Sequence, residues 1–224
     1  EPTTFVQCFN LTVTATDYPM ISSTSLEGMF GLNLNLTTLD VSNWDVSSVN
    51  ALDGIFAFCS SLTSLDVSNW DVSSVVEIGG MFYQCSSLTT LDVSNWDVSS
   101  VESMGSMFYQ CSSLTTLDVS NWDVSSVTDM GDMFADCSSL TALDVSNWDV
   151  SSVNEMGGFL NHSSLTTANY NAALIAFDTL TLQNGVTADF GTSTYTAGRA
   201  AATARANIVS AGGDNWTITD GGTA

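Results

Sequence analysis

The sequence predicts a repeat solenoid. It should carry a parallel β-sheet along one face, short helical turns along the opposite face, and a cap at each end. Three observations lead there. The block LDVSNWDVSSV occurs five times at a fixed step of 26 residues. The same step separates Trp44, Trp70, Trp96, Trp122 and Trp148, and also Cys59, Cys85, Cys111 and Cys137. Within each block Leu91 and Val93 alternate with Asp92 and Ser94, which is the strand period. One repeat cannot bury its own apolar side, so successive repeats must stack. With 224 residues and 44% apolar content, the chain can bury a sizeable core in one elongated domain.

Residues 1–27 lack the repeat and read as an N-terminal β cap, with Phe5, Val6, Phe9, Leu11 and Val13 set among Thr and Asn. Residues 28–167 form the repeat array. A partial unit opens at Gly28, and Asn33 stands where later units carry Cys. In a full unit Leu88, Leu91, Val93, Trp96, Val98 and Val101 are expected to face inward. Met104, Met107, Phe108 and Cys111 should form the opposite wall in a helical turn. The last unit, around Gly158–His162, is one residue short and has lost its Cys. Residues 168–224 read as an α/β C-terminal cap. It should hold helices over 169–177 and 196–210 and strands over 187–190 and 216–219.

The motifs L-x-x-L-D-V-S-x-W-D-V and M-x-x-M-F-x-x-C-x-S-L, over residues 28–167, resemble the leucine-rich repeats of BspA-like bacterial surface proteins. The resemblance implies a leucine-rich-repeat-like fold, an extracellular or cell-surface location, adhesion, and binding to proteins or host cells. It implies no catalysis. One departure stands out: the usual Asn of such repeats is replaced here by the tryptophan row.

Charge narrows the partners. The chain has 24 Asp and Glu against 2 basic residues, Arg199 and Arg205, for a net charge of -22. Such a surface repels phosphate backbones and anionic lipids, so nucleic acid is excluded as a partner. No run of 18 apolar residues is present, so no membrane-inserting helix is expected. The chain starts at Glu1 and reads as a processed protein, an excised domain or a fragment.

Several rows of side chains are candidates for chemistry. Asp40, Asp66, Asp92, Asp118 and Asp144 form the first, on the expected sheet face. They read as a solvated acidic face, with Ca²⁺ as the alternative ligand, although calcium takes about six to eight oxygens. Thr90, Asp92 and Ser94, with Thr116, Asp118 and Ser120, would then meet a ligand. Asp45, Asp71, Asp97, Asp123 and Asp149 read instead as turn caps. The tryptophan row reads as core rather than as a sugar platform.

The cysteine row reads as buried free thiols. Stacked neighbours should lie about 4.8 Å apart, which is long for a disulfide. Cys8 has no evident mate. His162 is the only histidine and has no partner at zinc spacing. No nucleophile elbow or phosphate loop is present, so no enzyme is expected and no cofactor is implied. Four Asn-x-Ser/Thr sequons, at Asn10, Asn35, Asn161 and Asn215, carry weight only in a eukaryotic source.

The expected function is a noncatalytic, surface-exposed adhesion module that presents an acidic Thr/Asp/Ser face to a protein or glycan. The alternative is a structural subunit of an extracellular filament, or of a virus tail fibre or host-attachment appendage on the virion surface. Such a subunit would self-associate through its caps.

Overall fold

A computed structural model describes residues 23–224. The expected N-terminal cap lies outside the described residues as far as residue 22, and Cys8 with it. Among the described residues, regular secondary structure is sparse. It comprises helix α1 (Thr167–Phe177), strand β1 (Thr187–Asp189), helix α2 (Ala200–Val209) and strand β2 (Thr217–Thr219). β1 and β2 pair in parallel, with Thr187 opposite Thr217.

This overturns the predicted fold class. The repeat region forms neither the leucine-rich-repeat sheet face nor the helical turns opposite it, and a solenoid of such units is not what the chain builds. The region is almost wholly turn and non-regular chain, joined by isolated parallel bridges such as Ser64↔Thr90 and Thr90↔Thr116.

The physical reason lies in where the backbone N–H groups go. On the expected strand, Asp92 Oδ1 accepts from Ser94 N at 3.1 Å, and Trp96 N donates to Val93 O at 3.1 Å. Side-chain and short-range acceptors thus take donors that a sheet would need. The few bonds between repeats on this side are long, as in Thr89 N→Thr63 O at 3.3 Å.

On the expected helical turn, alternate N–H groups divide. Met107, Tyr109 and Cys111 donate three residues back, to Met104, Ser106 and Phe108. Met104, Ser106, Phe108 and Gln110 donate to the next repeat, at Asp129, Gly131, Met133 and Ala135, over 2.7–2.9 Å. A helix cannot form because two positions per repeat take the left-handed region. One runs through Gly54, Gly80, Ser106, Asp132 and Gly158, and the other through Phe58, Gln84, Gln110, Asp136 and His162.

The core is continuous from Leu26 to Trp216. Phe30, Phe56, Phe82, Phe108 and Phe134 stack at 5.5–5.8 Å between ring centroids. The tryptophans face them across the interior, with Phe56 and Trp70 at 5.9 Å. The inward residues named from the sequence are all buried, Trp96 at 4% exposure and Met104 at 0%.

The tail packs on the last repeat. Thr166 caps α1 by accepting from Asn169 N. Met156 bridges to Ala188, which places β1 against the array. Inside the tail, Asp220 Oδ2 accepts from Tyr170 Oη at 2.7 Å and from Arg205 Nε at 2.6 Å. Burial, with Asp220 beside it, pushes the Tyr170 phenol far up.

Candidate functional site

The first aspartate row flanks the tryptophans. Asp66, Asp92 and Asp118 are exposed, while Asp40 and Asp144 are half-buried. Each turns Oδ1 back onto the chain. Asp92 accepts from Ser94 N at 3.1 Å and Ser94 Oγ at 2.7 Å, and Asp118 takes the same bonds from Ser120. Asp144 accepts from Ser146 N at 3.0 Å.

The second row repeats the device. Asp97 accepts from Ser99 N at 3.1 Å and from Ser99 Oγ at 2.6 Å. The unit Asp-Val-Ser therefore occurs twice per repeat. Each copy closes a turn with its Asp and Ser and buries its Val. These bonds favour the carboxylate, so Asp71, Asp118 and Asp123 titrate below the ordinary range, the Ser hydroxyl being the largest cause.

The two rows thus share one structural role, where the sequence suggested different ones. The first row is not the outward half of a sheet. Its Oδ1 atoms hold turns. Among the described residues no three His, Cys, Asp or Glu side chains gather to hold a metal ion, the candidate Ca²⁺ ligands Asp40, Asp66, Asp92, Asp118 and Asp144 included.

Thr90 and Thr116 are exposed and Ser94 and Ser120 half-buried beside them. A shallow groove of ≈ 300 Å³ runs between adjacent repeats here, lined by Asp92, Ser94, Thr116, Asp118 and Asp144. A second, of ≈ 400 Å³, lies between Thr38, Asp40, Ser42, Ser64 and Asp66.

The repeat tryptophans are buried, and all of them except Trp44 anchor to the repeat before. Nε1 of Trp70, Trp96, Trp122 and Trp148 donates at 3.0 Å to the carbonyls of Val41, Val67, Val93 and Val119. Among the described residues the four cysteines, Cys59, Cys85, Cys111 and Cys137, are free and buried. Cys85 and Cys111 donate Sγ–H to Phe56 O and Phe82 O at 3.2 Å. Burial pushes the Cys59 thiol up to about 11 and Cys137 to about 12, so none is a ready nucleophile. Ser163 occupies the Cys position of the last unit and bonds Phe134 O at 2.9 Å.

His162 is exposed, with Nδ1 at 2.9 Å from Asp136 Oδ1. It sits at the repeat position of Gln84 and Gln110. One surface escaped the sequence reading. Phe58, Tyr83 and Tyr109 form a half-exposed aromatic strip on the phenylalanine side, two of them at the 26-residue step. That recurrence was its signal.

A family model described as "Mycoplasma protein of unknown function, DUF285" matches residues 3–113 and again 88–185. No curated protein matches the chain. Among the described residues no helix is long and apolar enough to cross a membrane.

Proposed function

We propose a noncatalytic binding role for this chain, which belongs to the DUF285 family. The module acts at a cell surface as an adhesin. It meets a protein or glycan through the row of Thr90, Asp92, Ser94, Thr116, Asp118 and Ser120. The observation that carries this reading is the groove between repeats, lined by carboxylates whose Oδ1 atoms are held on their own turns. Such fixed acceptors suit hydroxyl, amide or ammonium donors. Their turns are already closed, so binding costs little ordering. The resemblance to BspA-like repeats supports the surface location and the adhesive role.

The test is a triple variant, Asp92→Asn, Asp118→Asn and Asp144→Asn. The amide oxygen of Asn still accepts from Ser, so the turns survive. Binding of the full chain to arrays of cell-surface glycans and proteins should fall while the melting temperature holds. Undiminished binding sinks the reading. Reversible polymerisation of the purified chain, with no array ligand, favours a structural subunit of a filament or fibre instead.

A further inference from the structure

On the opposite wall three rows run side by side across the repeats. The first is aromatic. Phe58 and Tyr83 lie 5.0 Å apart at 53°, and Tyr83 and Tyr109 stack at 4.8 Å and 13°. The second is a floor of Gly54, Gly79, Gly80, Gly105, Gly131 and Gly157, over which Asp53 reaches Gly79 and Asp129 reaches Gly105 and Gly131. The third is acidic, with Asp53, Glu77 and Asp129 half-buried and Glu102 and Glu155 exposed. Backbone bonds between repeats, such as Gly54 N→Gly79 O and Gly80 N→Gly105 O at 2.9 Å, hold this floor rigid. At one end it widens into a hollow of ≈ 360 Å³ between Glu27, Leu32, Asp53, Ala57 and Phe58. Leu32 there is 40% exposed. At the other end Asp136 faces Gln110 and His162.

We infer that this trough binds an extended basic polypeptide segment, its Arg or Lys side chains held between the carboxylate row and the aromatic strip. Charge complementarity selects that occupant. The chain has only two basic side chains, and both lie in the tail, where Arg205 is already paired to Asp220. The acidic row therefore has no cation of its own. Burial and neighbouring carboxylates hold Asp53 and Glu77 above the usual range. A guanidinium would relieve that repulsion and meet electron-rich rings at the same time. Gly54, Gly80 and Gly157, which lack a Cβ and have no carboxylate reaching over them, let a peptide backbone approach closely.

The experiment measures the affinity of the full chain for a fluorescein-labelled peptide alternating arginine with serine, by fluorescence anisotropy. Two variant sets remove the same charge. One carries Asp53→Asn, Glu77→Gln and Asp129→Asn, in the carboxylate row of the trough. The other carries Asp71→Asn, Asp97→Asn and Asp123→Asn, exposed on the far wall. The first should weaken binding about tenfold and the second less than about twofold. Tyr83→Leu with Tyr109→Leu, which leaves charge untouched, should also cost about tenfold.

Equal loss from both charge sets, or no loss from the tyrosine pair, would show unspecific attraction to a -22 protein and overturn the inference. Tyrosine-dependent binding of a neutral glucose oligosaccharide that the peptide does not displace would overturn it too. Protection of the four buried thiols reports the fold. Should the tyrosine pair lose that protection, Phe58→Leu carries the same test.

Discussion

The two walls of each repeat solve the same problem in opposite ways. On the tryptophan wall the backbone is satisfied within a repeat, by Asp and Ser side chains and by bonds three residues back. Contact between repeats there falls to side chains, chiefly indole N–H groups reaching a carbonyl 29 residues earlier. On the phenylalanine wall the backbone itself bonds from repeat to repeat, through every second N–H. That pattern needs two left-handed residues per repeat. One wall is thus specified by side-chain chemistry and the other by dihedral angles. Substitutions on the first should act through lost contacts, and those on the second through backbone strain.

The largest effect should come from the core that both walls share. Trp96→Ala and Phe108→Ala each leave a large cavity and should cost about 3–5 kcal/mol in chemical denaturation. Thiol reactivity of the buried cysteines should rise in parallel. A loss below about 1 kcal/mol would mean that the walls do not close on one core.

Indole bonding on the tryptophan wall can be isolated by comparing two positions. Trp70 Nε1 donates to Val41 O, whereas the buried Trp44 Nε1 has no hydrogen-bond partner among the described residues. Trp70→Phe should therefore cost about 1 kcal/mol more than Trp44→Phe. Equal costs would remove the indole bond from the account of that wall.

The phenylalanine wall makes the complementary prediction. Gly80 and Ser106 occupy the same repeat position, at φ of +58° and +56°. A Cβ at Gly80 would lie 3.7 Å from the nearest side-chain atom, so only the dihedral resists it. Gly80→Ser should cost about 1 kcal/mol and Ser106→Gly should return a similar amount. Thermal melts of the two variants moving in the same direction would contradict the strain argument.

The smallest effect is in pH, and it has opposite signs on the two walls. Hydrogen bonds from Ser lower Asp71, Asp118 and Asp123 in the folded state. Their contribution is complete above the unfolded value of about 4 and is lost as pH falls through the lowered folded values. Burial raises Asp53 and Glu77, so the folded state binds their protons first. Their unfavourable contribution is relieved as pH falls through the raised folded values towards the unfolded ones. Stability should therefore rise slightly on mild acidification and then drop. A monotonic fall from neutral pH would assign the raised carboxylates no weight, and Asp53→Asn should erase the rise if they carry it.

The 26-residue period by itself determined which residues share an environment. The burial of Leu91, Val93, Trp96, Met107 and Phe108 followed from it, because equivalent positions in stacked units must face alike. The turn role of Asp97 was also legible, since Asp two residues before Ser offers the nearest acceptor to that backbone N–H. In the tail, apolar spacing marked a helix over 169–177; it runs from Thr167 to Phe177, with Thr166 rather than Asn169 as its cap.

The path of the backbone was decided only in three dimensions. Asp92 alternates with apolar neighbours as a strand residue would, yet its bond to Ser94 folds the chain into a turn. Gln84 and Gln110 are good helix formers, yet both are left-handed, because their N–H groups gain 2.7 and 2.8 Å bonds to the next repeat. Local pattern cannot register an acceptor that lies a full repeat away in the chain. The aromatic and acidic trough was hidden for the same reason. Its rows come from sequence positions with differing residues, and stacking alone sets Phe58 beside Tyr83 and Asp53 over Gly79.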